Sequence, residues 1–140
     1  MVSTVGDHLR FAEMLLHGGA RDNTRLLSPS TVSLMTSDAL PPGIGYSERA
    51  RTVMADLAPT PVAGQGFGLG FAVRNAVGQN PLPGSPGTYY WTGAFGTTFW
   101  IDPREKLIGI MMIQVPAIAG NDYRRAMRYL TYQALTDKVE

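Results

Sequence analysis

The chain has no cysteine, which excludes disulfides and thiolate-ligated zinc. It has two histidines, His8 and His17, both on one helical segment, so no Ser-His-Asp triad can spread across a sheet. It has two lysines, Lys106 and Lys138. The residues three before them are Pro103 and Leu135, so no Ser-x-x-Lys turn sets an amine beside a hydroxyl. There is no Gly-x-Ser-x-Gly elbow and no His-Glu-x-x-His helix. Charged residues make up 16% and the formal net charge is +1, which argues against a nucleic-acid or acidic-membrane footprint. No apolar run approaches the ~20 residues that span a bilayer. Met1-Val2-Ser3 lacks the charged and apolar regions of a signal peptide. What is present suits one globular domain: 140 residues, 44% of them hydrophobic.

Three stretches organise the chain. Residues 1–35 read as helical, 36–66 as a long loop, and 67–140 as a sheet followed by a helix. Thr4 and Asp7 have the spacing of a capping box, and Val5, Leu9, Ala12 and Leu16 recur at helical period up to Gly18-Gly19. Ser28-Pro29 opens a second helix. The loop is punctuated by Pro41-Pro42-Gly43, Gly45, Pro59 and Pro61, with a helical turn expected from Glu48 to Met54. Phe67, Leu69, Phe71 and Val73 alternate with Gly68, Gly70 and Ala72, which predicts one strand with a bare face closely approached by another element. Gly66-x-Gly68-x-Gly70 lies inside that strand pattern and does not read as a nucleotide loop. Leu107 to Val115 is nearly all apolar, as in a strand covered on both faces. A final helix is expected from Asn121 or Asp122, with Tyr123, Met127, Leu130 and Ala134 buried and Arg124, Arg125 and Arg128 in water.

The densest signal is Tyr89 to Pro103, YYWTGAFGTTFWIDP: a strand into Trp91-Thr92-Gly93-Ala94, then a strand closing on Asp102-Pro103. It resembles the third active-site motif of the serine β-lactamase-like superfamily, which includes penicillin-binding proteins, class C β-lactamases and related esterases. There the pattern is Lys-Thr-Gly, His-x-Gly or Trp-x-Gly on a strand beside the nucleophilic serine. The opening Val2-Ser3-Thr4-x-x-Asp7-x-x-Arg10-Phe11, the Leu27-to-Met35 helix, the glycine-rich strand and the C-terminal strand and helix match the second half of that family in order and spacing. The first half has no counterpart, and Tyr46-Ser47-Glu48 does not match the second motif.

The resemblance implies an α+β fold: an antiparallel sheet of three or four strands, a packed C-terminal helix and N-terminal helices, forming part of a β-lactamase/transpeptidase-like fold. It implies acyl transfer on a small-molecule ester, amide or lactam. The Ala94 backbone N–H is the expected oxyanion donor, with Trp91, Thr92, Gly93 and Tyr90 as substrate-binding residues. Trp91 stands where penicillin-recognising members carry lysine, which favours an esterase-like site. No metal or organic cofactor is implied, and neither nucleic acid nor a membrane span is expected. The family's missing N-terminal half, or self-association, is the expected partner of an exposed sheet edge. The rival reading is a non-catalytic binding module of the same architecture. Sheet aromatics also suit strands without any site; Phe99 and Trp100 are read as core, and His8 and His17 as surface or capping residues.

Overall fold

The computed structural model describes residues 3–44, 47–54, 59–77 and 80–136. Val2, Tyr46 and Lys138, weighed above, lie outside them. Helix α1 spans Val5–Leu16. The Thr4 hydroxyl oxygen accepts from the Asp7 amide at 3.1 Å, and the hydroxyl donates to the Asp7 carboxylate at 2.9 Å. The helix ends in a Schellman motif: Gly19 N–H reaches Met14 O at 2.8 Å and Gly18 N–H reaches Leu15 O at 3.0 Å, with Gly18 at φ 63°. A hairpin follows that the sequence did not signal, pairing β1 (Ala20–Arg21) with β2 (Thr24–Arg25). Its turn residues Asp22 and Asn23 both have positive φ, 48° and 64°, as a type I′ turn requires. Helix α2, Pro29–Met35, is capped by Ser28, and α3 spans Glu48–Met54.

The main sheet has five antiparallel strands in sequence order: β3 (Gln65–Phe67), β4 (Ala72–Arg74), β5 (Tyr89–Thr92), β6 (Gly96–Asp102) and β7 (Leu107–Gln114). The α+β class holds. The predicted single strand over 67–73 is instead a hairpin, which adds a strand to the expected count. Gly68 N–H bonds Phe71 O at 2.8 Å, and Gly70 at φ 96° turns the chain, so alternation breaks and Leu69 is exposed. The expected close approach holds at Gly68 but not at Gly70, which has open space around it. A Cβ on Gly68 would lie 2.1 Å from Met35 O, and one on Gly66 would lie 2.1 Å from the Asp38 carboxyl.

Period-two alternation gives the sheet two faces. Val73, Tyr89 and Ile101 turn toward Ala12, Met14 and Leu15 of α1 and Val32 of α2. Ala72, Tyr90 and Trp100 turn toward Met127 and Tyr132 of α4 (Ala117–Gln133). That helix departs from expectation twice. It starts after Pro116, ahead of Asn121, and it is rotated about its axis: Tyr123 and Leu130 are 57% and 66% exposed, while Arg124 and Arg128 are buried. The surface beneath it supplies backbone carbonyls and aromatic faces rather than an aliphatic groove, so guanidinium groups pack inward. β7 was expected to be covered on both faces. Met112 is 40% exposed, and no described strand pairs with the outer edge.

Candidate functional site

The turn between β5 and β6 is the centre of the site. Gly93 N–H donates to Thr97 O at 2.8 Å and Gly96 N–H to Gly93 O at 3.2 Å. Gly96 has φ 98°, which favours glycine, and a Cβ on Gly93 would fall 2.2 Å from the Thr97 hydroxyl oxygen, so a side chain there would displace that hydroxyl. Between them Ala94 is exposed, and its N–H makes no hydrogen bond among the described residues.

A cavity of about 370 Å³ opens beside this turn, on the α1 face beyond the start of the helix. Trp91 and Thr92 of β5 and Gly93 just after it form one wall, with Phe99 of β6 and Ile110 and Met112 of β7 continuing it. Trp91, Phe99 and Ile110 lie in one cross-strand row, and the Trp91 ring meets Phe67 edge-on at 5.0 Å. Among the described residues no lysine, arginine, aspartate or glutamate lines the cavity.

His8 also lines it, with its ring edge-on to Phe99 at 4.7 Å. Burial holds the imidazole below its ordinary pKa, which favours the neutral form at pH 7. Its placement was missed because helical period alone put it on a surface face; Phe99, a whole strand away in sequence, is what draws it in. The hydroxyls of Ser3, Thr92, Thr97 and Thr98 also border the cavity, but none is hydrogen-bonded to His8. The walls therefore offer a neutral, largely apolar volume beside a free backbone donor, without an assembled nucleophile and base.

Of the expected substrate-binding residues, Trp91, Thr92 and Gly93 line the cavity and Tyr90 does not. Alternation turns Tyr90 to the α4 face, where it is 3% exposed, its hydroxyl donates to Gln65 Oε1 at 3.1 Å, and the Arg128 guanidinium lies 5.7 Å from its ring centre. Ala94 adjoins the cavity through Gly93 but does not line it.

Two side-chain networks fix the surroundings. Arg124, 5% exposed, crosses from α4 to the turn: Nη2 donates to Gly93 O and, at 3.3 Å, to Thr97 O, while Nε donates to Gly96 O at 3.2 Å. Farther along β6, Asp102 is fully buried and accepts from the Tyr132 hydroxyl at 2.6 Å and from the amides of Ser85, Arg104 and Glu105 at 2.9, 3.2 and 3.3 Å. Burial pushes this carboxyl up, but the bonds led by Tyr132 outweigh it and hold the pKa below its ordinary value. Arg74 donates to Leu82 O at 2.8 Å and Arg128 to Pro83 O at 3.0 Å, so the segment leading into β5 is pinned from three elements. Among the described residues no group of His, Cys, Asp and Glu could hold a metal ion, and no helix is long and apolar enough to cross a membrane.

Sheet, helices and a glycine-ended strand beside a cleft together make an α+β architecture with one open cavity at the β5–β6 turn. The β-lactamase family model matches residues 1–133, and the chain belongs to that family. Protein Rv1367c of Mycobacterium tuberculosis (strain H37Rv) is 40% identical over 131 residues, which cover 85% of this chain and 31% of the relative. The chain thus spans about a third of the length of the curated relatives it matches. Among solved structures, the fold is similar to simvastatin synthase (LovD) from Aspergillus terreus, with TM-score 0.67 and 23% identity over 94% of this chain and 34% of that one. It is also similar to EstCE1, a hydrolase with promiscuous acyltransferase activity, with TM-score 0.68 and 24% identity over 93% of this chain and 30% of that one.

Proposed function

We propose that this chain supplies the oxyanion side of a serine acyl-transfer site of β-lactamase type, and that the nucleophile and its lysine come from polypeptide outside residues 1–140. The observation that carries this reading is the unengaged Ala94 N–H beside a cavity walled by Trp91, Thr92 and Gly93. Acyl transfer develops negative charge on the carbonyl oxygen, and a preorganised amide that has no other acceptor is ready to receive it. Gly93 leaves the strand edge open to a substrate, and Trp91 offers an apolar wall with one neutral donor. Because the lining is uncharged, a neutral acyl group of an ester suits it better than a substrate carrying a carboxylate. The chain alone is inactive in this reading.

An activated ester such as 4-nitrophenyl acetate tests it. Intact-mass measurement should find no stoichiometric acyl adduct on this chain; an adduct on one of its own hydroxyls overturns the reading. Supplying in trans the part of protein Rv1367c outside the matched region should restore turnover. Ala94→Pro, which removes the N–H, should then lower that rate about 10²–10³-fold. Complementation without turnover would favour the non-catalytic binding module, for which the missing Ser-x-x-Lys is the supporting observation.

A further inference from the structure

We propose that Arg124 is a positioning residue for the oxyanion donor: it clamps and polarises the Gly93–Ala94 peptide through its carbonyl end. The inference rests on the reading that Ala94 N–H receives the developing charge.

The Gly93 C=O and the Ala94 N–H belong to one planar amide. Arg124 Nη2 donates to that carbonyl, as does the Gly96 amide at 3.2 Å. Fixing the oxygen from two sides fixes the plane, and with it the direction of the N–H. A cation on the oxygen also draws electron density from the amide nitrogen, which strengthens its N–H as a donor. The second effect depends on where the guanidinium charge goes. Arg124 is 5% exposed, and among the described residues no carboxylate bonds to it. Its partners are three carbonyls of the turn and, at 3.0 Å, Asn121 Oδ1. The positive charge is therefore answered by the dipoles of the segment that carries the donor, in a site shielded from water, where electrostatic effects are larger.

Helix α4 is brought close enough for this by Gly120, where a Cβ would lie 3.0 Å from Gly96 Cα. Reaching Gly93, Gly96 and Thr97 together requires the planar fork of an arginine. A lysine ammonium is compact and its donors radiate from one atom.

The test uses this chain, ¹⁵N-labelled, as wild type, Arg124→Met and Arg124→Lys, with phenylphosphonate as a tetrahedral oxyanion probe followed at the Ala94 amide proton. In wild type that proton should move downfield on titration. Arg124→Met should need at least about fivefold more probe for half the shift, and Arg124→Lys about twofold more, as loss of a charge-assisted polarisation predicts. Urea unfolding of each variant gives the folded fraction, and the Val73 and Tyr89 amides report whether the sheet is intact. If Arg124→Met does not fold, Arg124→Lys carries the test. Wild-type affinity at Ala94 in a folded variant would make Arg124 a structural clamp only and overturn the inference, leaving the oxyanion reading standing. A wild-type Ala94 proton that ignores the probe would overturn both.

Discussion

Gly109→Ala probes the packing that holds β6 and β7 under α4. Gly109 pairs directly with Trp100, and a Cβ there would lie 2.2, 2.3 and 2.4 Å from three indole carbons. Ordinary carbon–carbon contact is ~3.5–4.0 Å, so the ring must retreat by about 1 Å or more. It has nowhere to go. Trp100 is 1% exposed, and the Arg128 guanidinium sits 5.0 Å from the ring centre. Overpacking of a tight core costs ~1–3 kcal/mol, and disturbing a desolvated cation–π contact costs up to ~2 kcal/mol more. Replacing glycine inside a strand returns ~0.5–1 kcal/mol through the unfolded state. The expected net loss is therefore about 2–3 kcal/mol. Urea unfolding followed by tryptophan fluorescence should show a lower midpoint with an unchanged slope. Trp100→Phe in the same chain should relieve the clash, so the double-mutant cycle should give a favourable coupling of at least ~1 kcal/mol. A Gly109→Ala cost below ~0.5 kcal/mol, or simple additivity with Trp100→Phe, would refute the packing argument.

Two further perturbations read buried titratable groups. Asp102→Asn puts an amide NH₂ against donors and should cost about 2–4 kcal/mol in urea unfolding. Because the Asp102 pKa is depressed by folding, its contribution is present above the unfolded value of 3.8 and is lost as the pH falls through the folded value. The variant should accordingly show a flatter acid limb, and an unchanged limb would rule out this carboxylate as its source. His8, also depressed, gives stability that is fully present above 6.5 and lost as the pH falls through its folded value. His8→Gln should remove that decline from stability measured between about pH 5 and 7; a retained decline would place its origin elsewhere.

The sequence carried most where local chemistry decides. The Thr4 cap, the Gly18-Gly19 stop, the Ser28-Pro29 start and the Glu48–Met54 helix are set by residues within a turn of one another, and all are present. Trp91, Thr92 and Gly93 could be placed together because their segment resembles the family's third active-site motif, and the three line one cavity. The Phe67-to-Val73 alternation misled because period two describes a strand only while φ stays negative, and Gly70 at φ 96° ends it. Tyr90 does not join Trp91, Thr92 and Gly93: its side chain lies on the α4 face, with its hydroxyl on Gln65 Oε1 and the Arg128 guanidinium beside its ring.

The arginines of α4 show why the remainder was not legible. A helix face is read as apolar-in and charged-out because a buried charge is costly in the absence of partners. Here the partners exist but lie far off in sequence: Arg124 reaches Gly96 O across 28 residues, and Arg128 reaches Pro83 O across 45. Carbonyl oxygens leave no mark in a sequence, since every residue has one. What makes these available is turn geometry, where a carbonyl is left unpaired by the strand ladder. Arg128 also packs its cation over Trp100 and Tyr132, which the helical period scores as apolar surface suited to leucine. Burial lowers the pKa of both guanidinium groups, but arginine stays charged through the physiological range, so the charge must be met in place rather than discarded. A lysine at either position could have escaped by losing its proton. The choice of arginine is thus the one local hint that the charge on this helix faces inward.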